Sequence, residues 1–83
     1  MPTATEQRLI AYHIARLKDK NPQVRLASIE ELRLLEATDA LSALEELFHS
    51  DPDDEVRTAA RKVGYDLYVK MKANEKKEEP PPE

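Results

Sequence analysis

Apolar residues recur along the chain at intervals of three and four positions, the spacing of one buried face of an α-helix. In the first segment, over about residues 6–19, this face consists of Ile10, Ile14 and Leu17. In the second, from about Pro22 to Glu36, it consists of Val24, Ala27, Leu32 and Leu35, widened by Leu26 and Ile29. The third, ending near Ser50, uses Leu41, Leu44, Leu47 and Phe48. The fourth, ending near Ala73, uses Val56, Ala60, Val63, Leu67 and Met71. The pattern predicts four helices.

Polar breaks between these apolar stripes predict where the helices start. Asn21-Pro22 combines a good N-cap with a proline at the first helical position, where the missing N–H had no partner anyway. Thr38 or Asp39 is expected to cap the third helix. Asp51-Pro52 repeats the cap-and-proline signal, and the carboxylates that follow it suit the first turn of a helix because of the helix dipole. The fourth helix is therefore expected to begin at this dipeptide.

The chain divides into three predicted parts. Residues 1–5 precede the first apolar stripe and are expected to form a flexible N-terminus, and residues 6–73 form the helical domain. Residues 74–83 contain no apolar side chain apart from three prolines, which favour extended polyproline geometry. They are expected to form a disordered, charged and proline-rich tail.

An internal repeat narrows the choice of fold further. The segment 19–27 matches the segment 51–59, and Leu17 before the first copy corresponds to Leu47 before the second. The offset between the copies is 30 at the two prolines and 32 from Val24 and Val56 onward. We therefore expect two extra residues in the turn of the second copy.

The repeated pattern is an apolar helix end, an Asp/Asn-Pro turn, Val-Arg and then small residues on the next helix, and it resembles the HEAT-like repeats of phycocyanobilin lyase subunits and many other proteins. The resemblance covers about residues 10–70. It implies an all-α fold, a four-helix HEAT-like α-α repeat bundle that is a short, two-repeat fragment of a right-handed α-solenoid. In this family the Asp and Arg of the turn commonly link neighbouring repeats. Structural roles are therefore expected for the turn residues Asp19, Pro22, Val24, Arg25, Asp51, Pro52, Val56 and Arg57.

The composition fits a small helical domain with a modest core. Leu, Ile, Val and Phe make up 18 of 83 residues, just above the level at which a charged chain stays disordered. The absence of Cys excludes disulfides and thiolate metal sites, and we expect a cytoplasmic location. No stretch approaches the roughly 20 apolar residues of a membrane span. The net charge of −4 argues against general nucleic-acid binding.

Combinations of residues that could support catalysis or bind a metal are weak. His49-Ser50-Asp51 contains the residue types of a hydrolase triad, but three consecutive residues at a helix end cannot align as that mechanism requires. Neither His13 nor His49 is followed by the Glu of the His-Glu pairs that some iron-binding HEAT-like enzymes carry. The segment 51–55 has the acidic spacing that begins a calcium loop, but Val56 stands where the loop needs Gly. We therefore predict no enzymatic activity, no metal and no cofactor.

Side chains outside the buried stripes suggest a binding surface. The helix that would pair with the fourth one in a longer array does not occur in this sequence, so we expect part of the outer side of the fourth helix to be uncovered. The candidate partner surface consists of Leu9, Tyr12, Glu45, Glu46, Tyr65, Tyr68 and Val69. These residues predict a non-catalytic helical-repeat scaffold, or adaptor, that binds another protein either through the surface of the first and third helices or through the exposed side of the fourth.

Three alternative functions stay open. The open ends of a small bundle can pair with each other, which predicts a self-assembling structural protein such as a homodimer. The family resemblance allows an accessory or regulatory subunit of an enzyme such as a bilin lyase. The third alternative, against which the overall charge argues, is nucleic-acid binding through Arg57, Arg61, Lys62, Lys70 and Lys72.

Overall fold

A computed structural model describes residues 3–78 of the chain, with their side chains through Glu75. This part forms four α-helices, and a short 3-10 turn, Thr38–Ala40, precedes the third of them. The helices are α1 (Ala4–Arg16), α2 (Pro22–Leu34), α3 (Leu41–Ser50) and α4 (Asp54–Glu78). The predicted all-α, four-helix fold is confirmed.

α1 begins earlier than its apolar stripe predicts. The Thr3 side chain accepts a hydrogen bond from the Glu6 N–H at 3.1 Å, and the Glu6 carboxylate accepts one from the Thr3 N–H at 3.1 Å. This reciprocal pair is a capping box, which satisfies two N–H groups that a helix start otherwise leaves without partners. Ala4 and Thr5 are therefore helical, although the apolar pattern assigns them to a flexible N-terminus.

α2 ends two residues before the predicted boundary at Glu36. Glu36 adopts a left-handed backbone conformation with φ 52°. The Ala37 N–H donates to the Leu32 carbonyl at 3.0 Å, and the Glu36 N–H donates to the Arg33 carbonyl at 3.0 Å. Together these two bonds form a Schellman motif, which closes the helix and redirects the chain toward α3.

The start of α3 differs from the predicted one. Neither Thr38 nor Asp39 caps it, because both lie within the 3-10 turn that runs directly into the helix. The residue before Leu41 is Ala40, which is fully buried and already helical in its backbone angles. α3 ends at Ser50, as predicted.

α4 is shifted toward the C-terminus at both of its ends. It begins at Asp54, so Asp51 is not its cap and Pro52 is not its first residue. Asp53 is the cap, since its carboxylate accepts hydrogen bonds from the N–H groups of Glu55 at 2.9 Å and Val56 at 3.2 Å.

At its other end, α4 continues through Glu78 rather than stopping near Ala73, so residues 74–78 are helical. The segment after Ala73 is rich in Glu and Lys, which are good helix formers, and Lys72 pairs with Glu75 at 3.4 Å. The remainder of the predicted tail, residues 79–83, lies outside the described residues.

The two helical hairpins, α1–α2 and α3–α4, stack side by side, with α2 against α4. The core comprises Ile10, Leu17, Ile29, Leu32, Ala37, Ala40, Leu44, Val56, Ala60, Val63 and Leu67. Two residues of the predicted stripes are exposed instead. Ala27 faces away from α4 at one end of the stack, and Phe48 lies at the other end. A helical stripe predicts which side of a helix is apolar, but it does not tell whether a neighbour exists to cover all of that side.

Candidate functional site

The turn between α1 and α2 and the turn between α3 and α4 have the same hydrogen bonds. In the first, the Asp19 carboxylate accepts from the Asn21 N–H at 2.8 Å. In the second, the Asp51 carboxylate accepts from the Asp53 N–H at 2.9 Å. Asn21 and Asp53 in turn cap α2 and α4. The residue at the cap, rather than the proline, is therefore the feature that the turns share.

The arginine that follows each turn repeats the pattern. Arg25 Nη1 donates to the Asp19 carbonyl at 2.7 Å, and Arg57 Nη1 donates to the Asp51 carbonyl at 2.6 Å. From the turn aspartate to the arginine, the two copies are therefore related by a constant offset of 32. Pro22, the first residue of α2, corresponds to Asp54 and not to Pro52. The expectation of two extra residues within the second turn is wrong, because they lie before it, in the last turn of α3.

A buried ion pair joins the two repeats. Arg25 Nε lies 2.8 Å from one carboxylate oxygen of Asp51, and Arg25 Nη2 donates to the other at 3.0 Å. The Arg25 and Asp51 side chains are 9% and 3% exposed. This hydrogen bond and the close ionic contact of Nε, on the two oxygens of one carboxylate, fix the position of α2 relative to the turn before α4. Arg25 thereby connects the first turn, through the Asp19 carbonyl, to the second.

Arg57 corresponds to Arg25, and Asp19 corresponds to Asp51. Neither Arg57 nor Asp19 forms a buried ion pair with a described residue. Arg57 forms an ion pair with Asp54 of its own helix, and the Arg57 side chain is over a third exposed. Asp19 is exposed and forms no ion pair with any described residue. The valines that precede these arginines also differ in burial: Val56 is buried, whereas Val24 is only half-buried.

An apolar groove lies on the side of the α3–α4 hairpin that faces away from the first repeat. We call this surface the end face. Its side chains are Leu41, Glu45 and Phe48 of α3 and Arg61, Tyr65 and Tyr68 of α4, above a floor of Ala60 and Gly64. The groove has a volume of about 260 Å³. Tyr65 is 68% exposed and Phe48 is 38% exposed, which leaves large aromatic surface in contact with solvent.

The repeat offset explains why the end face is uncovered. Arg61, Tyr65 and Tyr68 occupy the positions that Ile29, Arg33 and Glu36 occupy in the first repeat. Ile29 and Arg33 line the groove between α2 and α4, and Glu36 forms an ion pair with Lys70 of α4 at 3.1 Å. In the first repeat the second repeat therefore covers Ile29, which is buried, whereas Arg33 and Glu36 stay exposed at the rim of the junction. In the second repeat the same side is open.

The candidate partner residues fall into separate groups. Glu45, Tyr65 and Tyr68 lie together on the end face. Glu46 lines a different groove of about 360 Å³, between α1 and α3. Leu9 and Tyr12 are exposed on α1, where the Tyr12 hydroxyl accepts from Arg16 Nη1 at 2.9 Å, and Val69 is exposed on α4 outside the end-face groove. The candidate partner residues therefore lie on at least two separate surfaces.

Phe48 and Arg61 lie on the end face, although neither belongs to the partner surface predicted from the sequence. Phe48 continues the apolar stripe of α3 and was expected in the core, whereas Arg61 was considered only among the basic residues. A constant repeat offset of 32 would have found Arg61, since it pairs this position with the inward-facing Ile29.

The groove between α2 and α4 is mainly ionic. Arg33 Nε donates to both carboxylate oxygens of Glu30, at 2.8 and 2.7 Å. This hydrogen bonding lowers the pKa of Glu30 and raises the pKa of Arg33. Lys62 and Asp66 of α4 line the same groove, and their charges act in the same directions on Glu30 and Arg33. The two repeats thus meet through alternating charges around the apolar pair Ile29 and Val63.

The residue types of a hydrolase triad do not form a catalytic arrangement. His49 Nε2 lies 3.9 Å from the exposed carboxylate of Glu45. The Ser50 hydroxyl donates to the Glu46 carbonyl at 2.7 Å, and the Asp51 carboxylate pairs with Arg25. A triad requires the serine and the aspartate to contact the same imidazole. Here each of the three side chains has a different partner.

Within residues 3–75, whose side chains the structure describes, no group of three or more His, Asp or Glu side chains is placed to hold a metal ion. None of the helices within residues 3–78 has both the length and the apolar composition needed to cross a bilayer.

A family model described as HEAT repeats matches residues 3–63, which include both turns and the buried ion pair. No curated protein and no solved structure matches the chain significantly.

Proposed function

The chain belongs to the HEAT-repeat family, and from that premise we propose that it is a non-catalytic scaffold that binds another protein through its end face. HEAT repeats are generally protein-interaction scaffolds. In a repeat array, each hairpin is covered on both sides by neighbours, and the surfaces at the two ends are left open. The proposal assigns one of these open surfaces as the binding site.

The observation that carries this proposal is the clustering of exposed aromatic side chains around one groove at the end of the stack. Tyr65 and Tyr68 are exposed, and their equivalents in the first repeat, Arg33 and Glu36, are exposed at the rim of the side on which the second repeat stacks. Aromatic residues are enriched at protein interfaces because they bury a large area while losing little conformational entropy. Phe48 adds a third ring beside them, and the small residues Ala60 and Gly64 leave room for a partner side chain.

Two finer assignments remain proposals. The absence of catalysis agrees with the typical character of HEAT repeats and with the separate partners of His49, Ser50 and Asp51. The resemblance to the repeats of phycocyanobilin lyase subunits depends on the turn residues alone, so a role as an accessory subunit of such an enzyme has no separate structural support.

The test is affinity capture from native cell extract with three forms of the protein. One is the unmodified chain, and the second carries Tyr65→Ser and Tyr68→Ser, which remove two exposed rings without disturbing the core. The third, a matched control, carries Tyr12→Ser, which removes an exposed tyrosine from α1. We expect a protein that is retained by the unmodified chain and by the control and is lost with the double variant. Retention of the same proteins by all three forms would contradict an end-face site.

A further inference from the structure

The opposite end of the stack presents a second open surface, which we call the start face. In the second repeat, Ala59, Lys62, Val63 and Asp66 of α4 line the groove against the first repeat. The equivalent residues in the first repeat, 32 positions earlier, are Ala27, Glu30, Glu31 and Leu34. All four are exposed, and Leu34, at 61%, is among the most exposed large apolar residues of the described chain. The start face is therefore open for the same reason as the end face.

Suppose that a second copy of the chain stacks on the end face as the second repeat stacks on the first. Each residue pair at the α2–α4 junction within the chain then has an equivalent pair between the two copies, found with the repeat offset of 32. Ile29 and Val63 line the groove between α2 and α4 within the chain, and the counterpart pair is Arg61 of one copy with Glu31 of the next. Arg33 lies near Asp66 within the chain, and the counterpart pair is Tyr65 with Leu34. An apolar pair is thus replaced by two opposite charges, and a charged pair by two apolar side chains.

The remaining counterparts are also complementary in charge. Glu30 and Lys62 are equivalent to each other in the repeat and both line the groove between α2 and α4, so their proximity is repeated as Lys62 of one copy beside Glu30 of the next. The buried pair of Arg25 with Asp51 is repeated as Arg57 with Asp19. Among the described residues of a single chain, neither Arg57 nor Asp19 forms a buried ion pair. Arg57 would exchange its pairing with Asp54, whose side chain is 89% exposed, and a pair so exposed is weak.

We propose that the protein to which the end face binds is a second copy of this chain, which stacks its start face on the end face in head-to-tail order. The inference rests on the proposed end-face site. Complementary pairs suppress wrong partners and fix the register of an interface, so four complementary positions at one spacing favour this occupant. Because the two surfaces differ, the contact is heterologous, and it produces rings or open chains rather than a closed twofold dimer.

Sedimentation velocity over a range of protein concentrations tests this assembly. The unmodified chain is compared with Arg61→Glu, with Glu31→Arg and with an equimolar mixture of the two variants. Both side chains are exposed, so circular dichroism and thermal melting are expected to show unchanged folding. The substitutions change the net charge in opposite directions, which separates the specific pair from a general charge effect.

We expect the unmodified chain to associate, and each single variant to associate at least about tenfold more weakly because like charges then meet across the interface. The mixture is expected to regain association, since Glu at position 61 of one variant can pair with Arg at position 31 of the other. A monomeric unmodified chain at high concentration, or a mixture that stays monomeric, would overturn the proposal. Association that Arg61→Glu weakens and Glu31→Arg leaves intact would also overturn it, because a twofold dimer uses the end face alone.

Sedimentation and affinity capture together distinguish a failure of the second copy as partner from a failure of the end-face site. A chain that is monomeric in sedimentation but captures another protein only when Tyr65 and Tyr68 are present would refute the second copy as partner and leave the end-face site supported. Capture that does not depend on these tyrosines would refute the end-face site itself.

Discussion

At the scale of single residues, Ser28 stands out because its hydroxyl is buried among apolar groups. The residue is 1% exposed, and its Oγ has no hydrogen-bond partner among the described residues. A buried hydroxyl without a partner costs free energy, since it has lost its bonds to water. The equivalent position in the second repeat is Ala60, which is buried to the same degree and carries no polar group.

The substitution Ser28→Ala is therefore expected to stabilise the protein, by about 1 kcal/mol. For a domain of this size such a change raises Tm by about 4–8 °C. Thermal melting followed by circular dichroism measures it. The reverse change at the equivalent position, Ala60→Ser, is the matched control and should lower Tm. A lower Tm for Ser28→Ala would show that the hydroxyl has a partner after all.

The two turn arginines offer a second comparison at the residue scale. Arg25→Met is expected to destabilise the protein by about 3 kcal/mol, because it leaves the Asp51 carboxylate buried without its guanidinium. Arg57→Ala should also lower the stability, but by less, since the ion pair of Arg57 with Asp54 is exposed. Urea unfolding of the two variants measures both values. Equal losses would mean that the buried pair has no special role in joining the repeats.

At the scale of the helices, Gly64 is the weak point of α4. Glycine in a helix interior costs roughly 0.5–1 kcal/mol relative to alanine, because the unfolded chain loses more conformational freedom. A Cβ added at Gly64 would lie 3.8 Å from Leu44 Cβ, an ordinary van der Waals distance. Space therefore does not oppose a larger side chain at this position.

We expect Gly64→Ala to stabilise the domain by roughly 0.5–1 kcal/mol. Chemical denaturation measures the change, and Ala60→Gly on the same helix is the control that should act in the opposite direction. A destabilised Gly64→Ala variant would mean that α3 and α4 pack more closely here than the 3.8 Å distance indicates.

The helices themselves could be predicted from the sequence, but several of their ends could not. The apolar stripes place all four helices because their spacing reflects the helical period directly. The ends depend on details that the stripe does not contain. The proline rule placed the start of α2 correctly and failed at α4, where Pro52 lies one residue before the true cap, Asp53. At Glu36 the chain adopts a left-handed conformation that usually calls for Gly or Asn, so the residue type gave no signal.

At the scale of the whole molecule, the same limit applies to the binding surface. Tyr65 and Tyr68 could be selected from the sequence because they lie off the main stripe of α4. Phe48 could not, because it lies on the apolar side of α3 and becomes exposed only where the array stops. Ala27, at the other end of the stack, likewise belongs to a predicted apolar stripe but is exposed. Which apolar positions form the core depends on the number of repeats, and this is a property of the assembled molecule rather than of any one helix.

The central claim is that the open ends of the stack are the surfaces that bind protein. Amide NMR spectra of the ¹⁵N-labelled chain, recorded over a dilution series, test it most directly. We expect concentration-dependent shifts on both faces, around Arg61 and Tyr65 of α4 and around Ala27 and Leu34 of α2, with the first turns of α1 unchanged. Shifts confined to α1, or spectra that do not change with concentration or on addition of a captured protein, would contradict it.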